Sequence, residues 1–195
     1  MGVPIRRAGQ GDREAAVGLL HKAFARDAVS RWVFPDPDQL ERKHGALMAA
    51  FLDMALTEGY VDLAEDGSAV ALWTSIPAGD HGDGDPVGFR ASIDPDNERI
   101  EQIARLTGAA HPKDRAHEYL MLIGVDPDLQ GQGLGGGLIA NVLARCDREG
   151  RHAYLEASSL RSRALYERLG FTFMGHTIDL PDGPPMYPMW REPRS

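Results

Sequence analysis

Tyr119-Leu120-Met121-Leu122-Ile123-Gly124-Val125-Asp126-Pro127-Asp128-Leu129-Gln130-Gly131-Gln132-Gly133-Leu134-Gly135-Gly136-Gly137 changes character twice along its length. Its first seven positions are almost wholly apolar, Ile123 and Val125 are β-branched, and Asp126-Pro127 closes the run. That pattern predicts a buried strand. A glycine-rich loop follows, and beyond Gly133 the residues Leu134, Leu138, Ile139, Val142 and Leu143 recur at helical spacing, so the loop opens an amphipathic helix. Strand, loop and helix in that order bring unpaired backbone N–H groups and the positive end of a helix dipole to one point, which suits an anion, most often a phosphate. Glycine serves there because a Cβ would hold a phosphate off the backbone and obstruct turns with positive φ.

Three motifs compete for this stretch. A P-loop requires Lys-Ser/Thr after its last glycine, and Leu138-Ile139 stands there instead. Gly131, Gly133 and Gly136 fit G-x-G-x-x-G, with Glu156 some 20 residues on as a ribose-binding acid. Against that dinucleotide reading, Asp126 to Gln130 separate strand from glycines, and too little chain follows Glu156 to complete a doubly wound sheet. The third motif is Gln130-x-x-Gly133-x-Gly135 after Val125-Asp126-Pro127, joined downstream by Ala164-Leu165-Tyr166-Glu167-Arg168-Leu169-Gly170-Phe171. Together these resemble the acyl-CoA loop and the "LYxxLGF" segment of the GCN5-related N-acetyltransferases (GNAT). Ala69 to Thr74, His111-Pro112-Lys113, Gly124 to Gly135, Tyr166 to Thr172 and Pro181-x-Gly183-Pro184 are further similar to the puromycin N-acetyltransferases, the antibiotic-modifying branch.

The resemblance implies an α/β fold: a twisted mixed sheet of about seven strands, flanked by helices and splayed between strands 4 and 5 to admit pantetheine. It also implies acetyl-CoA as co-substrate, no metal, and a small amine as acceptor. Backbone groups of Ile123, Gly124 and Val125 and the loop Gln130, Gly131, Gln132, Gly133, Leu134, Gly135 and Gly136 would bind the cofactor, with Ser159 or Ser162 where relatives carry an asparagine. Arg161, Arg163 and Arg168 are candidates for its 3′-phosphate. Tyr166 occupies the family's position for the general acid that protonates the departing thiolate. Tyr119 stands where some members place a glutamate, so Glu118 or a water-relayed base is expected to take the amine proton, an amine near pKa 10 having to lose one before it attacks. Trp32, Phe34, Trp73 and Tyr187 are candidate acceptor-binding aromatics, suited to a hydrophobic amine. A non-catalytic acyl-CoA-binding domain and a protein or peptide amine acetyltransferase are the alternatives.

Composition narrows the field further. The 195 residues suit one domain, 1–195, with a single core. No apolar run matches a membrane span and the N-terminus lacks a signal-peptide core, so a cytoplasmic protein, monomer or homodimer, is expected. Net charge −8 with three lysines excludes a nucleic-acid partner, since no basic run exists to neutralise phosphates. The lone Cys146 lies on the apolar register of its helix and reads as core.

Elsewhere, Val3 to Ala8 reads as a strand. Asp12 is the expected cap of a helix through Ala15 to Phe24, and Arg26 to Gln39 an aromatic-bearing loop. A helix over Gln39 to Leu56 and a hairpin of strands Tyr60 to Ala64 and Ala69 to Ile76 follow. Pro77 to Gly88 reads as a loop and Ile93 to Leu106 as a helix. Ala153 to Glu156 is an expected strand, Ser162 to Leu169 a helix, Phe171 to Leu180 a strand, and Met186 to Arg191 a last strand that Pro188 marks as edge or bulged.

Overall fold

The computed structural model describes residues 3–80 and 84–194. In chain order the elements are β1 (Ile5–Arg7), α1 (Arg13–Phe24), α2 (Ala28–Val33), α3 (Pro37–Glu58), β2 (Tyr60–Ala64), β3 (Ala69–Ile76), α4 (Pro86–Ile93), α5 (Glu98–Ala110), β4 (His117–Val125), α6 (Leu134–Glu149), β5 (His152–Ala157), α7 (Leu160–Arg168), β6 (Thr172–Phe173), β7 (Ile178–Asp179) and β8 (Pro185–Arg191). The sheet runs β1-β2-β3-β4-β5-β8-β6, with β7 also beside β8. Among the described residues its one parallel pair is β4 with β5. Among the described residues eight strands stand where about seven were expected, because the span Phe171 to Leu180 is broken into β6 and β7. The expected mixed sheet flanked by helices is present.

Side-chain alternation sorts the apolar residues to two faces. One core lies under α1 to α5, built from Leu20, Phe34, Leu52, Val61, Leu72 and Ile100; the other lies under α6 and α7, built from Leu120, Leu138, Ile139, Leu155, Phe171 and Met189. Cys146 belongs to the second core, fully buried, with its thiol pushed up to about 11 by burial, in keeping with a packing role.

Local chemistry corrects several expectations. The segment 26–39 is not all loop: Asp27 accepts from Val29 N at 2.9 Å and Ser30 N at 3.4 Å, capping α2, whose Trp32 and Val33 are buried. Asp12 stands at the expected N-cap of α1 but its side chain makes no bond to that helix; it accepts from Gly9 N at 2.9 Å, closing the preceding 3-10 turn. Helix α3 starts two residues early, at Pro37 in the first turn behind the Asp36 cap. The tract 77–88 is not loop throughout, because Asp85 caps α4 by accepting from Gly88 N at 2.8 Å; residues 81–83 of it lie outside the described residues. Asp94-Pro95-Asp96 then interrupts what was read as one helix, and Asn97 caps α5.

Pro188 is not on an edge strand. β8 lies between β5 and the short β6 and β7. Pro188 O accepts from Met174 N at 3.0 Å on the β6–β7 side. In a strand the nitrogen points the same way as its own carbonyl, so the missing N–H falls where the chain between β6 and β7 leaves the ladder.

None of the described helices is long and apolar enough to cross a membrane.

Candidate active site

β4 and β5 pair only from His117 beside His152 to Leu120 beside Leu155, yet β4 runs on to Val125. Past Leu120 the two strands part, leaving the β5-facing backbone groups of Met121 to Val125 outside any ladder. The register against β3 slips between Leu72 and Trp73, whose partners are Leu122 and Leu120, so Met121 is the bulged residue. Gly124 lies beyond it and serves packing: a Cβ there would meet Leu20 Cδ2 at 3.2 Å and Ala23 Cβ at 3.3 Å, so its absence seats α1 on the strand.

The loop from Gln130 ends in Gly133, the α6 N-cap, at φ 85, and Gly131 has φ 83, a region L side chains rarely adopt. Gly135 lets α6 approach β4, its missing Cβ facing Val125 Cγ2 at 3.3 Å. The loop and helix therefore lie at the mouth of the fork, and a cleft of about 2050 Å³ runs through it. Ligand pockets commonly measure about 300–1,000 Å³, so this one has room for two reactants. Of the expected cofactor-binding residues, Ile123, Val125, Gln130, Gly131, Gly133, Leu134, Gly135, Gly136, Ser159 and Ser162 line it, while Gly124 and Gln132 do not. Ser159 Oγ and Ser162 Oγ lie 2.9 Å apart in a capping box that starts α7, so both hydroxyls serve the helix end first. Arg161 and Arg168 line the cleft, whereas Arg163 pairs with Glu167 at 2.9 Å and covers the Phe173 ring at 4.2 Å.

Tyr166, 7 % exposed, reaches the cleft from α7, packed edge-on against Phe171. Burial and, secondarily, the charge of Asp27 hold its phenol protonated. Asp27 in turn accepts from Ser158 Oγ at 2.7 Å, tying the start of α2 to the end of β5.

Glu118 is not at this site. Fully buried, its carboxylate accepts from Tyr60 Oη at 2.5 Å, Ser75 Oγ at 2.8 Å, Arg145 Nη2 at 3.0 Å and Arg151 Nη1 at 2.6 Å. Arg145 also donates to Tyr60 Oη. Strand parity turns Glu118 and Leu120 toward α6, and Tyr119 toward the cleft. A carboxylate with four donors has no lone pair to offer an amine.

Glu156 does line the cleft, as do Asp27, Glu58, Asp80 and Asp85; it is last but one in β5 and on the same face as Tyr119. Tyr119 Oη donates to its Oε2 at 2.8 Å, while Oε1 is buried with no partner among the described residues. Burial pushes the carboxyl up to about 7, against the opposing pull of the Tyr119 and Tyr154 phenols. The sequence offered one signal for it, an acid closing an apolar run, which was read there as a ribose ligand.

Nor do the four aromatics line the cleft. Trp32 donates Nε1–H to the Pro181 carbonyl at 2.7 Å, Phe34 is 1 % exposed in the core, Trp73 is buried and stacked on Tyr60 at 6.4 Å, and Tyr187 packs on Phe173 at 6.0 Å. The apolar wall of the cleft is instead formed by Phe24, Val29, Met48, Phe51, Met54, Phe89 and Met121 from α1 to α4 and β4.

Residues 89–192 match the family model for the acetyltransferase (GNAT) domain. An uncharacterised N-acetyltransferase of Schizosaccharomyces pombe is 42 % identical over 55 residues, which are 28 % of this chain and 22 % of that protein. A mycothiol acetyltransferase of Rhodococcus opacus is 30 % identical over 148 residues, 74 % of this chain and 42 % of that protein. The chain thus spans less than half the length of either. Among solved structures, a protein of Corynebacterium glutamicum described as histone acetyltransferase HPA2 and related acetyltransferase superposes with a TM-score of 0.75 at 30 % identity, covering 100 % of this chain and 98 % of that one. With the family model spanning more than half of its residues, the chain belongs to the GNAT acetyltransferase family.

Proposed function

We propose that the protein transfers the acetyl group of acetyl-CoA directly to a small amine, with Glu156 as general base and Tyr166 as general acid. The observation that carries this reading is the pairing in one cleft of a carboxyl with pKa about 7 and a phenol kept protonated. A base poised near 7 is half ionised at neutral pH, and a tyrosine that stays protonated has a proton to give. The loop from Gln130 to Gly136 supplies N–H donors for the pyrophosphate, and the unpaired edge of β4 supplies amide partners for pantetheine. Arg161 and Arg168 supply charge for the 3′-phosphate.

Glu156 takes one proton from the bound ammonium and passes it to solvent, the free amine forms the new N–C bond as the thioester C–S bond breaks, and the nitrogen then gives its second proton to the ionised Glu156. The sulfur leaves with the proton of Tyr166, which is replaced from solvent. Holding both reactants in the fork contributes by proximity, and no covalent enzyme intermediate is needed. The apolar acceptor wall favours an amine with a hydrophobic body. Resemblance of sequence segments alone supports an aminonucleoside such as puromycin.

The test is CoA-thiol release from acetyl-CoA with a panel comprising 2-phenylethylamine, puromycin, agmatine, L-phenylalanine and a lysine-bearing histone peptide. Turnover of a small amine well above the peptide supports the proposal. Tight acetyl-CoA binding without turnover of any panel member refutes it in favour of a non-catalytic acyl-CoA-binding domain.

A further inference from the structure

We propose that His111 determines acceptor specificity: His117 fixes its tautomer so that a bare Nδ1 faces the cleft and accepts a hydrogen bond from the incoming amine. The inference rests on the acetyl-transfer reading above. A backbone carbonyl can only accept, so the 2.8 Å contact between His117 Nδ1 and Arg115 O puts the His117 proton on Nδ1. His117 is 1 % exposed and burial keeps it neutral, so its Nε2 carries a lone pair. His111 Nε2 lies 2.9 Å from that lone pair and must donate to it. Burial, with His117 and Lys113 acting in the same sense and Asp80 opposing, lowers His111 to about 4, so this ring too is neutral and holds one proton. With that proton on Nε2, Nδ1 is bare.

His111 lines the cleft, and the hydrogen bond the ring makes among the described residues is the one through Nε2 to His117. The ring is wedged edge-on between Tyr119 at 4.7 Å and Tyr154 at 4.8 Å, which hinders rotation. Tyr119 is also the donor to Glu156, so the bare Nδ1 and the Glu156 carboxyl lie on the same side of the sheet. A wall presenting two lone pairs recognises N–H donors and repels an anion. The acceptor class is therefore a primary amine with no carboxylate beside the amine: 2-phenylethylamine, not L-phenylalanine.

The test has two arms, both on the full chain. Long-range proton–nitrogen NMR of the histidine side chains reads the tautomers directly; His117 protonated at Nδ1 and His111 at Nε2 are expected. His117→Asn keeps a donor for the Arg115 carbonyl but removes the acceptor, and should free His111 from its single tautomer. In steady-state kinetics with 2-phenylethylamine, His111→Gln keeps a donor for His117 and leaves nothing at Nδ1, whereas His111→Asn restores an amide oxygen near that place. His111→Gln should raise the amine KM roughly tenfold or more, the scale of one hydrogen bond to a charged group, leaving the acetyl-CoA KM unchanged, and His111→Asn should recover most of the loss. A His111 protonated at Nδ1, a His111→Gln enzyme with the wild-type amine KM, or equal turnover of L-phenylalanine overturns the proposal. A wild-type enzyme inert to every panel amine sinks the acetyl-transfer reading, and this inference with it; turnover without the His111 effect sinks the inference alone.

Discussion

Replacing Glu156 with glutamine separates the role of the carboxylate from its effect on the fold, because the two respond to pH in opposite senses. The folded carboxyl titrates at about 7 against 4.5 for an ordinary glutamate, burial being the main cause. Below pH 4.5 both folded and unfolded chains hold the proton, and the group adds no pH-dependent term. Between 4.5 and 7 the unfolded chain releases its proton while the folded one retains it, so stability falls as pH rises. Above 7 the whole difference is felt, about 3 kcal/mol at 1.36 kcal/mol per pH unit. Glutamine imitates the protonated acid at every pH. Glu156→Gln should therefore unfold about 3 kcal/mol less readily than wild type at pH 8, a rise in Tm of roughly 6–12 °C for a chain of this size, and match wild type at pH 4. Catalysis should move the other way. With the base gone, kcat/KM should fall about 10²–10⁴-fold, and the limb of the profile that rises toward pH 7 should disappear. The assays are urea unfolding at pH 4 and pH 8, and initial rates of CoA release from pH 5.5 to 9. A variant whose advantage over wild type is no larger at pH 8 than at pH 4 would show that the carboxyl is not held in a desolvated site. A variant that keeps the acid limb would show that another group is the base.

Tyr166→Phe should lower kcat by about 10²–10³-fold, within the range for loss of a general acid, and leave the urea midpoint nearly unchanged, since no described residue hydrogen-bonds its hydroxyl. A kcat within threefold of wild type would remove Tyr166 from the mechanism. Glu118→Ala should do the reverse: it strands Arg145 and Arg151, costing about 3 kcal/mol, at the low end for a broken buried pair because both arginines keep contact with solvent. Its kcat/KM per folded molecule should hold, and a large fall there with stability intact would return Glu118 to the catalytic machinery.

Most of the fold was legible because it is written in local chemistry. Ile123, Val125 and the glycines after them announce strand, loop and helix whatever the rest of the chain does, and Asp66-Gly67 announces a hairpin. The errors fall where a short polar cap outweighed a poor helical pattern. Asp27, Asp85 and Asn97 each accept from N–H groups at a helix start, and Asp85 does so directly before Pro86, a residue that looks like a breaker yet suits the first turn. Pro188 misled for a related reason, since position on the edge was inferred from a missing donor when the neighbouring chain leaves the ladder at that point.

The site was less legible than the fold because its reactive acid is chosen by parity and pairing, which a sequence carries only up to the first irregularity. Glu118 and Tyr119 are adjacent, so one of them had to face the cleft, and nothing local says which. The bulge at Met121 then resets the alternation: Leu120 faces α6, Met121 and Leu122 both face the α1 to α5 side, and Ile123 turns back to α6. Counting by twos from Glu118 would have put Gly124 under α6, when it lies beneath Leu20 and Ala23 of α1. The same slip occurs where β4 parts from β5. β5 runs without a bulge, so Tyr154 and Glu156 keep one face, and Glu156 stands just past the last rung shared with β4. There an acid can be desolvated by the sheet and still meet the cleft. That combination comes from ending a parallel pair early, a tertiary event that neither strand's own residues record.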